Sequence, residues 1–170
     1  MAASAVKTKK VIGIAELEVS DNPDDLLITY SLGSCLGVVL YDKAKHVGGL
    51  LHAMLPESRL EKLSRSSVAF NPYKYVDTGV PRLFKKVYNL GASKRNLVLS
   101  VFGGAQVFDR KDYFNIGKRN YISLRKISWQ EGVLIKNEHV GGRVHRTVKL
   151  DIQTGNIYLD VNKEEIITYG

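Results

Sequence analysis

Apolar residues fall in short blocks along the chain, and most blocks have the alternation or the unbroken apolar run of β-strands. Val11 to Val19 carries apolar residues at 12, 14, 17 and 19, an imperfect alternation that predicts one strand. Asp21-Asn-Pro-Asp-Asp25 is a turn cluster, and Leu26 to Tyr30 is a second short strand. Leu36-Gly-Val-Val-Leu-Tyr41 is apolar throughout and predicts a buried strand. Val47 to Leu55 returns as its partner, closed by Pro56. The polar break Asp42-Lys-Ala-Lys45 between them predicts a hairpin with a four-residue loop. Residues 57–77 are polar and irregular and predict a mobile surface loop bordering a substrate groove.

The period then changes. Val80, Leu83, Phe84, Val87, Tyr88 and Leu90 form a helical stripe, so Thr78 to Leu90 predicts a helix with Thr78 as N-cap, Pro81 in its first turn and Gly91 at its end. Leu97 to Phe102 is a strand ending at Gly103-Gly104, and Asn115 to Glu131 is a second helix stopped by Gly132. Val133 to Glu138, Val144 to Leu150 and Asn156 to Val161 complete the strands, the last two joined at Gln153-Thr-Gly-Asn156. The order β-β-β-β-α-β-α-β-β-β predicts an α+β layered fold, with mixed β-sheets forming a β-sandwich-like core and helices flanking it. Residues 1–10 read as a flexible N-terminal tail, 11–162 as one domain and 163–170 as a C-terminal tail.

Composition narrows the function. Hydrophobic residues are 44% and charged residues 25%, the balance of a soluble globular protein. No apolar run approaches the roughly 20 residues that span a bilayer. Glu16 and Glu18 interrupt the stretch after Lys7, Lys9 and Lys10, so no secretory signal is read and a cytoplasmic protein without membrane insertion is expected. The net charge of +8 suits acidic partners. No zinc finger, RNP-type strand or Walker loop converts that charge into a nucleic-acid interface, and none is expected. Gly103-Gly104 and Gly141-Gly142 read as tight turns. His139 and His145, beside the second pair, have no diagnostic metal spacing.

Cys35 is the one cysteine, which excludes an internal disulfide and thiolate zinc clusters. It is either an inert core residue or a reactive one. With a loop of Asp42 to Lys45, the hairpin pairs Tyr41 with His46, Leu40 with Val47, Val38 with Gly49, Leu36 with Leu51, and then Cys35 with His52. Directly opposed residues share a face with Cβ atoms about 4.5–5.5 Å apart. An imidazole there takes the thiol proton and creates the nucleophile. A third group must hold the imidazole's tautomer, and Thr29, Ser31 and Ser34 are all candidates. The N–H groups of Gly33, Ser34 and Cys35 can cradle an oxyanion. His52 as a hydrogen-bonded core histidine is the competing reading.

The stretches Thr29-Tyr-Ser-Leu-Gly-Ser-Cys-Leu-Gly-Val-Val-Leu-Tyr-Asp42 and Val47-Gly-Gly-Leu-Leu-His-Ala-Met-Leu-Pro56 closely resemble the chemoreceptor glutamine deamidase family, CheD. So do Tyr75-Val-Asp77, Phe102-Gly-Gly-Ala105, Ile116-Gly-Lys-Arg-Asn120 and Val140-Gly-Gly-Arg-Val-His-Arg-Thr147, in order over roughly residues 11–160. The resemblance implies Cys35 as nucleophile, His52 as general base and acid, and Thr29 as the group orienting it, with Gly33, Ser34 and Ser31 in support. It implies conversion of glutamine side chains of methyl-accepting chemotaxis receptors to glutamate through a thioester, with release of ammonia and no metal or organic cofactor. Receptor cytoplasmic domains are the implied partners, with a CheC-type phosphatase as a further one. A receptor- or phosphatase-binding protein with little turnover is the alternative. The family's usual Asp-Val-Gly-Gly-Asn-Tyr-Gly-Arg is here His139-Val-Gly-Gly-Arg-Val-His-Arg146, so contacts in that region are not carried over.

Overall fold

The structure is a computed structural model that describes residues 6–61, 65–106 and 114–170. Among these residues, ten strands form two five-stranded sheets. They are β1 (Thr8–Val11), β2 (Glu16–Ser20), β3 (Asp25–Leu32), β4 (Leu36–Asp42), β5 (Val47–Ala53), β6 (Leu97–Gly103), β7 (Ile135–Val140), β8 (Arg146–Asp151), β9 (Ile157–Val161) and β10 (Glu165–Tyr169). Sheet order is β1-β3-β8-β9-β10 in one and β2-β5-β4-β6-β7 in the other. The β1–β3 and β6–β7 pairs are parallel and the rest antiparallel, so both sheets are mixed. Helices α1 (Val76–Asn89) and α2 (Ile116–Glu131) complete the layered α+β fold that the strand order predicts.

The unbroken apolar run of β4 has a simple cause: the strand is buried on both faces. Leu36, Val38 and Leu40 join Leu51, Ala53 and the α1 stripe Val76, Val80, Leu83, Phe84 and Val87 in one core. Val39 and Tyr41 point the other way, with Leu50 and Phe102, against Leu27, Val148, Leu150 and Leu159 of the facing sheet. The second sheet is thus the middle layer, and the space between the sheets is the sandwich core.

Several expectations are corrected. Val11 to Val19 is not one strand: β1 and β2 belong to different sheets, separated at Ala15, whose φ of 61° is rare for alanine. Residues 8–10 of the expected N-terminal tail are part of β1, paired with β3, while residues 1–5 of that tail lie outside the described residues. The expected C-terminal tail carries β10, paired antiparallel with β9. Helix α1 starts at Val76 rather than Thr78. Thr78 lies within it, donating its hydroxyl to Pro72 O (2.6 Å), and Pro81 is inside the helix rather than in its first turn. The segment 57–77 is not one mobile loop: it holds two 3-10 turns, Ser58–Leu60 and Pro72–Lys74, and its Tyr75 is buried and bridged to Leu55. Residues 62–64 of it lie outside the described residues.

The hairpin register also differs. Asp42 pairs with Val47, so the loop is Lys43 to His46, and His52 stands opposite Gly37 rather than Cys35. The buried Asp42 carboxylate causes the shift. Its Oδ1 accepts the N–H groups of Ala44 (2.9 Å) and Lys45 (3.0 Å), and its Oδ2 accepts that of Ser93 (2.8 Å). These bonds hold Asp42 in the ladder, and the loop, still of four residues, ends at His46 with a left-handed φ of 52°.

Candidate active site

Moving a hairpin loop by one residue changes each partner by two positions, so side chains keep their faces. His52 still shares a face with Leu50 and Gly37, toward the opposite sheet. Cys35 lies two residues before Gly37, just outside β4, and packs against the core between the sheets. The corrected register makes Cys35 and His52 diagonal neighbours on one face rather than a directly opposed pair.

Thr29 reaches the same space from β3. Between Thr29↔Val148 and Leu32↔Arg146 the strand holds one more residue than its partner, a bulge that turns Tyr30 and Ser31 out to solvent and leaves Thr29 and Leu32 both inward. Opposite His52, a Cβ on Gly37 would come within 2.7 Å of Leu32 Cδ1, so any larger residue would push the Leu32 side chain aside.

Hydrogen bonding fixes the histidine's tautomer. Thr29 Oγ1 is 2.7 Å from His52 Nδ1 and 2.8 Å from the Ile12 carbonyl oxygen. The carbonyl can only accept, so the single hydroxyl hydrogen goes to Ile12 O. His52 Nδ1 therefore carries the ring proton and donates it to Thr29, and Nε2 is a bare lone pair. Nε2 is buried with no hydrogen-bond partner among the described residues. Burial holds the imidazole pKa down at about 4, against a small opposing influence of the Glu16 carboxylate. Burial likewise raises the Cys35 thiol above its ordinary value, opposed by the backbone N–H of Cys35 itself. The resting pair is a neutral thiol and a neutral imidazole.

Of the three candidate hydroxyls, the structure brings only that of Thr29 to His52 Nδ1. Ser31 is exposed with a φ of 55°, at the bulge. Gly33, Ser34 and Cys35 form the half-buried connection into β4. Their carbonyls are all held from behind: Gly33 O accepts Ala105 N–H (2.8 Å), Cys35 O accepts Gly104 N–H (2.9 Å), and Ser34 O accepts the Asn120 side-chain amide (2.9 Å). The close approach at Cys35 requires Gly103, whose φ is 108° and whose added Cβ would stand 2.2 Å from Cys35 O. Asn120 has no assigned role in the sequence reading. Its signal was there: the buried positions Gly117, Asn120, Leu124, Ile127 and Ser128 mark the inner face of α2, and Asn120 is a polar side chain in the middle of it.

His139 accepts at Nδ1 from Arg146 Nε (2.8 Å), and His145 is exposed. No group of three or more histidine, cysteine, aspartate or glutamate side chains among the described residues is arranged to hold a metal ion. Among the same residues, no helix is long and apolar enough to cross a membrane.

The family model described as CheD chemotactic sensory transduction matches residues 54–161. That span contains Asn120 and Arg146 and begins just after His52. Relatives extend over the rest. A probable chemoreceptor glutamine deamidase CheD of Solibacter usitatus is 42% identical over 155 residues, 91% of this chain and 90% of its own. The corresponding protein of Pyrococcus abyssi is 43% identical over 148 residues, 86% of this chain and 87% of its own. A crystal structure of a Neisseria meningitidis protein, of the family model DUF152, aligns with 82% of this chain and 64% of its own at a TM-score of 0.47 and 12% identity. On the family match and the near full-length relatives, this chain belongs to the CheD family.

Proposed function

We propose that this protein is a chemoreceptor glutamine deamidase, with Cys35 as nucleophile, His52 as the proton carrier and Thr29 as its anchor. One observation carries the reading: Thr29 and the Ile12 carbonyl force the His52 proton onto Nδ1, leaving Nε2 bare and unpartnered on the face it shares with Cys35. A core histidine kept for stability would have both nitrogens satisfied.

Because the resting pair is neutral, the thiol proton moves to Nε2 as sulfur attacks the glutamine carboxamide carbon. The new C–S bond places negative charge on the carbonyl oxygen, within reach of the N–H groups of the Gly33–Cys35 connection. Imidazolium returns its proton to nitrogen, the C–N bond breaks and ammonia leaves a γ-glutamyl thioester. Water then gives a proton to Nε2 and attacks the thioester. The C–S bond breaks, sulfur recovers its proton, and glutamate is released. No metal or organic cofactor enters these steps.

The substrate in this reading is the cytoplasmic part of a methyl-accepting receptor, so the protein acts in the cytoplasm, with a CheC-type phosphatase as a further partner. Lys118 and Arg143 line a cavity of about 390 Å³ that shares Gly104 and Ala105 with the wall behind Cys35, a basic surface suited to an acidic partner. The test is peptide mass spectrometry of a receptor cytoplasmic fragment incubated with the native chain and with Cys35→Ala. Glutamine-to-glutamate conversion that disappears in Cys35→Ala is expected. A fragment that binds but is never converted would replace this reading with that of a binding protein.

A further inference from the structure

We propose that Asn120 is a positioning residue that aims the Cys35 backbone N–H, and through it the sulfur and the oxyanion site. The inference rests on Cys35 being the nucleophile.

Asn120 is fully buried, and its side-chain nitrogen donates to two backbone carbonyls, Ser34 O at 2.9 Å and Met54 O at 3.1 Å. Two acceptors require the –NH2 end there, so the orientation of the amide is determined by its surroundings. One acceptor lies immediately before Cys35 and the other two residues after His52. A single side chain thus ties the nucleophile's connection to the strand carrying its base, just beyond the last ladder pair, Leu36↔Ala53.

The peptide plane converts this tie into direction. Ser34 C=O and Cys35 N–H belong to one planar trans unit and point opposite ways. Holding the carbonyl toward α2 turns the Cys35 N–H away from α2, and the backbone of Cys35 opposes the rise that burial gives its thiol. The flanking carbonyls are held by main chain, from Gly104 and Ala105, so Ser34 O is the one in the connection whose hold can be removed by changing a side chain. Helix α2 comes close enough because of Gly117, three residues before Asn120 on the same face. A Cβ there would stand 2.5 Å from Gly104 O and 2.7 Å from Ala105 O. Asn120 Oδ1 is buried without a partner among the described residues, so burial at this position is not explained by satisfying the amide itself.

The test uses the full chain as native protein, Cys35→Ala, Asn120→Ala and Asn120→Ser, with a glutamine-bearing receptor cytoplasmic fragment as substrate. Losing one aimed oxyanion donor predicts that kcat falls about 10²-fold in either Asn120 variant while KM stays near native, in protein still folded at the assay temperature. Alkylation of Cys35 by iodoacetamide reads the same aim without a substrate and slows about tenfold at neutral pH as thiolate support is lost. Native kcat and native alkylation in Asn120→Ala would overturn the proposal while an inactive Cys35→Ala kept the nucleophile. A raised KM with unchanged kcat would also overturn it, by making Asn120 a substrate contact. So would failure of both variants to fold, which would make it a general staple. Conversion by Cys35→Ala would instead remove the reading on which the proposal stands.

Discussion

Two of the corners that carry the chain from one sheet to the other lie side by side, and they are built to opposite ends. At the β7–β8 corner, the buried Arg146 guanidinium donates to His139 Nδ1, Gly103 O (3.2 Å) and Gly141 O (2.8 Å), while Gly141 N–H reaches Gly103 O (2.9 Å). The His145 N–H is taken by Asn162 Oδ1 (2.9 Å). At the β3–β4 corner, which touches it at Leu32↔Arg146, the carbonyls are held in the same thorough way, but two buried acceptors, His52 Nε2 and Asn120 Oδ1, have no partner among the described residues. A buried polar atom without a hydrogen bond costs free energy, so the second corner is less stable than it could be and is chemically open. One corner closes the fold; the other keeps a lone pair available.

The contrast is broken most sharply by exchanging losses. Replacing His52 with Gln should lower turnover by about 10²–10⁴-fold, the range for removing a general acid–base group. The fold should tolerate it, since Nε2 makes no bond to lose and the glutamine amide can still donate to Thr29 Oγ1 in place of Nδ1. Replacing Arg146 with Met should do the reverse. Three acceptors lose the guanidinium, although Gly103 O keeps the Gly141 N–H, and the chain should be destabilised by about 1–3 kcal/mol, read as a lower Tm with turnover per folded molecule little changed. Comparable losses of turnover in both variants, at full folding, would dissolve the distinction.

A finer test stays within the first corner. Thr29→Val keeps the side chain's volume but takes away the acceptor for His52 Nδ1 and the donor for Ile12 O. The ring can then rotate or change tautomer, and kcat should fall about 10²-fold, the scale of a small misplacement of a reacting group. Thr29→Ser retains the hydroxyl and should keep most of the activity. Equal rates for the two variants would separate Thr29 from the tautomer argument.

How much of this was legible in the sequence depended on whether its cause was local. The buried run of β4, the α1 stripe and the placing of Cys35 and His52 on one face all follow from periodicity, and the face survived an incorrect loop because parity did. The register itself did not, because it is set by Asp42 bonding to Ser93, fifty-one residues away. β10 went unread because its turn lacks the usual glycine. Asn162 and Lys163 adopt φ of 51° and 63°, and nothing in a lysine announces a left-handed backbone. The choice of Thr29 over Ser31 depended on a bulge against β8, a long-range pairing that local patterning does not contain.

The smallest effect separates the corners by pH. Burial holds His52 at about 4 in the folded chain, below the ordinary 6.5 that it regains on unfolding. Between those values the unfolded chain binds more protons, so the contribution of His52 to stability is complete above about 6.5, declines as pH falls, and is lost below about 4. Cys35 acts at the other end. Its folded thiol resists ionisation, so stability declines as pH rises past the unfolded thiol's value of 9.0. Denaturant midpoints across pH should therefore fall off on both sides for the native chain. The acid decline should be shallower in His52→Gln and the alkaline decline shallower in Cys35→Ala. Arg146→Met, by contrast, should lower the whole curve and leave both declines in place, because the β7–β8 corner contributes neither group. A pH curve unchanged in shape by His52→Gln would mean that the imidazole is solvated in the folded chain, and the bare Nε2 on which the catalytic reading depends would then be an acceptor already occupied by water.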